Sequence, residues 1–105
     1  PPHHVVTRRQ RQMCNKRQIE ITENGVADAE DTLRTEHLRR HLWVLSNAVK
    51  DGHDVRSYHH WSLMDNFEWA EGYSMRFGLH RVDFESQERT LRPSGEVYKA
   101  IVGRR

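Results

Sequence analysis

The alternation of apolar and polar residues begins at Ile19. Ile19 and Ile21 flank Glu20, Thr22 follows, and Asn24-Gly25 breaks the run, so the pattern predicts a short strand ending in a turn. Asp28, Glu30 and Asp31 come next. Such acidic residues suit the first turn of a helix, where the dipole favours negative charge. Leu38, Leu42, Leu45 and Val49 recur at steps of four, three and four. That spacing predicts one apolar stripe on an amphipathic helix over about residues 32–51. Gly52 falls just past its end, where a left-handed cap is common. Val55 to Leu63 is rich in β-branched and aromatic residues, among them Val55, Tyr58 and Trp61, and reads as a second strand. Strand, long helix and strand make a βαβ unit, with the helix crossing over between parallel strands.

The remainder is less periodic. Trp61, Phe67, Trp69, Tyr73 and Phe77, interrupted by Gly72 and Gly78, predict a long structured loop. Residues 79–92 predict a hairpin, with Val82 and Phe84 ahead of a polar turn near Gln87. Pro93-Ser94 opens a last helix, with Ser94 expected as its N-cap and Val97, Ile101 and Val102 expected to face inward. Residues 1–17 show neither helical nor strand periodicity, and this atypical basic segment is expected to be disordered or misassigned.

Composition narrows the classes. Of 105 residues, 35% are apolar and 30% charged, so any core is lean. No run approaches the ~20 apolar residues of a membrane span, and no membrane partner is expected. The single Cys14 excludes an intrachain disulfide and a cysteine-based zinc site. His37 and His41 stand one helical turn apart without a third ligand nearby, and adjacent histidines on a strand point to opposite faces. No metal and no cofactor are therefore expected. No segment has the regions of a signal peptide, which gives a cytoplasmic expectation. The net charge is only +2, although Arg8, Arg9, Arg11, Lys16 and Arg17 crowd one end. That crowd admits a nucleic-acid-binding reading, but a solvated tail explains it as well, and no nucleic-acid partner is expected.

Two carboxylates carry candidate chemistry. Glu23 ends the first predicted strand, at the end from which catalytic residues project in a parallel barrel. It is either a nucleophile or general base, or a solvated strand-end residue. Glu68 sits between Phe67 and Trp69, seven residues after Trp61. Acidic groups among aromatic faces describe a sugar site, since aromatic rings stack on pyranose C–H faces while carboxylates accept hydroxyl hydrogen bonds. An aromatic core patch with an incidental glutamate fits the same residues.

Ile21-Thr22-Glu23-Asn24-Gly25 and the run from Trp61 to Trp69, WSLMDNFEW, closely resemble two motifs of the family-one glycoside hydrolases, the β-glucosidase and β-galactosidase type. Arg76-Phe77-Gly78-Leu79, Val82-Asp83 and Arg92-Pro93-Ser94 follow in that family's order. Ala27-Asp28 and Asp54-Val55-Arg56 are similar to its archaeal and thermophile-like members. The resemblance covers about residues 19–102. It implies an α/β fold in which residues 18–105 form the C-terminal part, about the last two βα units, of a TIM (β/α)₈ barrel. Such a piece is incomplete as a stand-alone domain, since a whole barrel takes ~250 residues.

The resemblance further implies retaining hydrolysis of β-D-glucosides or β-D-galactosides, with Glu23 as the nucleophile. Glu68 is implied to hold hydroxyls of the sugar in subsite −1. Trp61 is implied as the stacking platform, Trp69 as an indole donor and Phe77 as a lining aromatic. Members acting on 6-phosphorylated sugars depart from the pattern at the Glu68 position, so its presence implies unphosphorylated substrates. The family's acid/base glutamate lies in an Asn-Glu-Pro motif that this chain lacks. A missing N-terminal barrel portion is therefore the expected partner, and the 105-residue chain alone is expected to be inactive. The alternative is a remnant that binds sugar or a partner without turnover.

Overall fold

The computed structural model describes residues 17–103; the basic segment through residue 16 and the last two residues lie outside the described residues. Strand β1 (Gln18–Asn24), helix α1 (Arg34–Lys50) and strand β2 (Asp54–His60) form the expected crossover unit, with β1 and β2 parallel. A 3₁₀ turn (Trp69–Glu71) lies within the aromatic loop. Strands β3 (His80–Val82) and β4 (Arg89–Leu91) make the antiparallel hairpin, and Gln87 turns it with φ 68°. Helix α2 (Pro93–Val102) follows. The β1–β2 sheet has only these two strands among the described residues, so it is open rather than closed into a barrel.

The pairing of β1 with β2 is irregular at two places. Ile19 faces Val55 and Glu20 faces Ser57, which leaves Arg56 as an extra residue on β2. Ile21 then faces Tyr58, and the next partner pair is Asn24 with His60. Three residues of β1 thus match two of β2, so β1 bulges at Thr22–Glu23.

Capping differs from expectation at both helices. Asp28 and Asp31 precede α1 rather than forming its first turn. Asp28 still serves the helix start, because its Oδ2 accepts the N–H groups of Leu33 (2.7 Å) and Arg34 (3.0 Å). In α2 the N-cap is Arg92, with Pro93 at the first helical position, where its missing N–H is no loss. Ser94 lies inside the helix and is fully buried; its N–H and Oγ donate to Asp31 at 3.0 and 2.6 Å. A carboxylate from a distant segment does the capping that local sequence assigned to Ser94. Gly52 behaves as expected, in the left-handed region at φ 94°.

The apolar stripes are only partly covered. Leu38 is buried, Leu42 and Leu45 are half-buried, and Val49 is 53% exposed. In α2, Val97 is half-buried, whereas Ile101 and Val102 face solvent instead of packing inward. The cause is geometric: a two-stranded sheet has no further layer to lay against the far ends of these helices.

Buried charge holds the remaining structure together. Apart from Leu38, Leu79 and Val82, the buried side chains among the described residues are Arg34, Ser62, Asp65, Arg92 and Ser94. Arg92 donates to both oxygens of Asp65 at 2.9 and 3.1 Å, and Arg76 donates to Oδ2 at 2.7 Å. The backbone N–H groups of Gly78 and Val82 complete the set at 3.0 and 3.2 Å. Arg34 forms a second knot, donating to Asp31 (2.5 Å) and to the carbonyls of Asp28 and Arg76 (both 2.8 Å). Arg76 joins the two, its guanidinium on Asp65 and its carbonyl under Arg34.

Burial alone raises the Asp65 carboxyl, but the hydrogen bonds from Arg92, Arg76, Gly78 and Val82 outweigh it and hold it below the ordinary value. A depressed carboxylate contributes stability that is present above its unfolded value, about 3.9, and lost as pH falls through the folded one. Asp65→Asn removes the charge while two arginines stay behind, and is expected to cost about 3–5 kcal/mol. Denaturant unfolding followed by tryptophan fluorescence checks this. An unchanged midpoint together with an unchanged acid transition contradicts it.

Candidate active site

Strands β1 and β2 end side by side, and the singled-out residues lie at or beyond those ends. Glu23 is the penultimate residue of β1 and is exposed. By simple alternation it would share a face with Ile19 and Ile21. The bulge changes that phase. Ile21 and Asn24 both line a groove against α1, together with His41, Val44, Leu45 and Tyr58, whereas Glu23 is exposed and does not line it.

Trp61 follows β2 directly. Its backbone N–H donates to the Asn24 carbonyl at 2.8 Å, so the aromatic loop starts against the end of β1. A Cβ on Gly25 would stand 1.8 Å from the Trp61 carbonyl oxygen, and only glycine permits that approach. The Trp61–Ser62 peptide is cis. The Trp61 indole donates through Nε1 to Glu68 Oε1 at 3.1 Å. Phe77 reaches the same region through its backbone, its carbonyl accepting the Ser62 N–H at 3.1 Å.

Trp69 stands apart. It is 83% exposed, with φ 48°, and its ring meets Phe67 edge-on at 6.4 Å. Phe67 packs on Tyr73 at 5.3 Å, Tyr73 on Phe84 at 4.4 Å, and the Arg76 guanidinium lies 4.9 Å over Phe84. The aromatic run therefore divides in two. One part is a packed patch anchored by Arg76, and the other is Trp61 bonded to Glu68.

Behind Glu23 lies a chain of polar contacts that the sequence did not announce. Tyr58 O–H donates to Asn24 Oδ1 at 2.9 Å, and His60 Nδ1 is 3.3 Å from the same phenol oxygen. Asn24 Nδ2 lies 2.7 Å from His41 Nδ1, and the His41 ring stacks on His37 at 4.0 Å. Burial, with a smaller contribution from Tyr98, pushes the Tyr58 phenol up to about 12. Burial first, then Arg34 and His37, push His60 down to about 4. Among the described residues, no three His, Cys, Asp or Glu side chains gather as a metal site, and no helix is long and apolar enough to cross a membrane.

Comparison with known proteins agrees with this geometry. The family model for "Glycosyl hydrolase family 1" matches residues 5–105, starting upstream of the motifs that carry the resemblance. A bifunctional beta-D-glucosidase/beta-D-fucosidase of Bifidobacterium breve is 50% identical over 84 residues, which is 80% of this chain and 18% of that protein. A beta-galactosidase of Saccharolobus solfataricus is 49% identical over 81 residues, 77% of this chain and 17% of its own length. The crystal structure of a hyperthermophilic beta-glucosidase from Pyrococcus furiosus superposes with a TM-score of 0.78 at 56% identity, over 80% of this chain and 18% of that one. The chain thus spans about a fifth of the length of the curated relatives it matches.

His60 is expected to remain uncharged in the folded protein until about pH 4, against an ordinary value of 6.5. Between those values the unfolded chain binds more protons, so stability declines as pH falls through that window. An NMR titration of the His60 ring checks this; a midpoint at the ordinary value contradicts it.

Proposed function

Because the chain belongs to glycosyl hydrolase family 1, as the C-terminal part of a β/α barrel, we propose that it carries the nucleophile and sugar-binding side of a retaining β-glycosidase. The observation that carries this reading is the Trp61–Glu68 pair, bonded at 3.1 Å and seated by the Asn24 carbonyl next to Glu23. An indole and a carboxylate held together, on a loop that starts against the strand bearing a second carboxylate, supply the groups that a pyranose and its anomeric carbon require.

In this reading the Glu23 carboxylate attacks the anomeric carbon as the glycosidic C–O bond breaks. The leaving oxygen takes its proton from a carboxyl group on the N-terminal barrel portion, about 5–5.5 Å away in retaining enzymes. That group then deprotonates a water, which attacks the same carbon and releases Glu23. Trp61 stacks under the sugar and Glu68 accepts from its outer hydroxyls. Trp69 donates from its indole, which a sugar would draw in from its exposed position, and Phe77 closes the side. A carboxylate at position 68 would repel a 6-phosphate, so the substrates are unphosphorylated β-glucosides, β-galactosides or β-fucosides.

The chain alone lacks the acid/base carboxyl and does not turn over. Co-expressed with the remaining N-terminal portion of a full-length family member, it is expected to hydrolyse a dinitrophenyl β-glucoside. Glu23→Ala in that complex is expected to lower kcat by roughly 10⁴-fold, about 5 kcal/mol of transition-state stabilisation. Azide should restore turnover by forming the α-glycosyl azide, attacking from the face the carboxylate vacates. Undiminished hydrolysis by Glu23→Ala would exclude Glu23 as the nucleophile.

A further inference from the structure

β1 carries one residue more than β2 between the Ile21–Tyr58 and Asn24–His60 partner pairs, which takes Glu23 out of phase with Ile19 and Ile21. A bulge needs a hold on its far side, since the extra residue gives up ladder hydrogen bonds. Asn24 supplies that hold. The donor order that makes all three contacts hydrogen bonds runs in one direction: His60 Nδ1–H to Tyr58 oxygen (3.3 Å), Tyr58 O–H to Asn24 Oδ1 (2.9 Å), and Asn24 Nδ2–H to His41 Nδ1 (2.7 Å). This order leaves His60 Nε2 as a bare lone pair, and that atom is buried without a partner. The Asn24 carbonyl meanwhile accepts the Trp61 N–H at 2.8 Å. One residue is therefore tied to β2, to α1 and to the start of the sugar loop.

We infer that Asn24 is a positioning residue, whose side-chain amide, clamped between Tyr58 and His41, holds the bulge that turns Glu23 away from α1 and toward the substrate. The inference rests on the reading of Glu23 as nucleophile. Asn24 does not touch the sugar; it acts through the aim of its neighbour. Aspartate would keep the bond from Tyr58 and lose the donor to His41, while alanine would lose both. Phenylalanine at 58 would remove the donor to Oδ1 and keep the ring.

The test is a double-mutant cycle in the complex with the N-terminal barrel portion. Asn24→Ala and Tyr58→Phe are each expected to lower kcat by roughly 10–100-fold with KM changed little, the size of loss a displaced reacting group produces. In a Glu23→Ala background with saturating azide there is no carboxylate left to aim. There the same substitutions are expected to change the azide-dependent rate by less than about twofold. Equal losses in both backgrounds would mean general damage to the fold and overturn the inference, as would no loss in either. If Glu23→Ala itself leaves hydrolysis undiminished, the nucleophile reading fails first and the positioning role falls with it.

Discussion

A single buried carboxylate organises the second half of this chain. Asp65 takes hydrogen bonds from Arg92, Arg76 and the backbone of Gly78 and Val82, and so joins the aromatic loop, the hairpin and the start of α2. An ion in a dry interior is costly unless nearly all its acceptor sites are filled. Here they are filled, and the arrangement specifies geometry more than it adds stability. Arg76 passes the constraint on, because its carbonyl accepts from Arg34, which with Asp31 fixes where α1 and α2 begin. The loop that bears Trp61 and Glu68 is thereby placed on a polar frame, without needing a large apolar core.

That economy matches the chain's incompleteness. Trp43 is 67% exposed on α1, and the β1–β2 sheet has open edges among the described residues. In a closed barrel neighbouring strands and helices would cover such surfaces. A chain spanning about a fifth of its relatives' length keeps the local knots and lacks that cover.

Legibility in the sequence followed the range of the interactions. The β1–α1–β2 unit, the hairpin and Gly52 could be read because alternation, helical spacing and glycine act over a few residues. Ser94 was misread as an N-cap because its true role is set by Asp31, 63 positions away. Periodicity predicts inward faces for Ile101 and Val102, which presumes a layer that is absent among the described residues. Asp65 looked like one more polar residue in a motif, since burial of a charge depends on arginines 11 and 27 positions downstream. The bulge at Thr22–Glu23 was invisible, because alternation alone assigns Glu23 to the wrong face. The proposed site residues come from the family motifs, and the structure adds which of them touch.

The measurement that bears most directly on this account is the site of covalent labelling by a 2-fluoro-β-glucoside inactivator in the complex with the N-terminal barrel portion. The fluorine slows hydrolysis of the glycosyl-enzyme, so the trapped sugar marks the attacking carboxylate. Peptide mass spectrometry is expected to find the label on Glu23 and nowhere else on this chain. An inactivated enzyme with its label on any other residue would contradict the assignment of the nucleophile to the bulged end of β1.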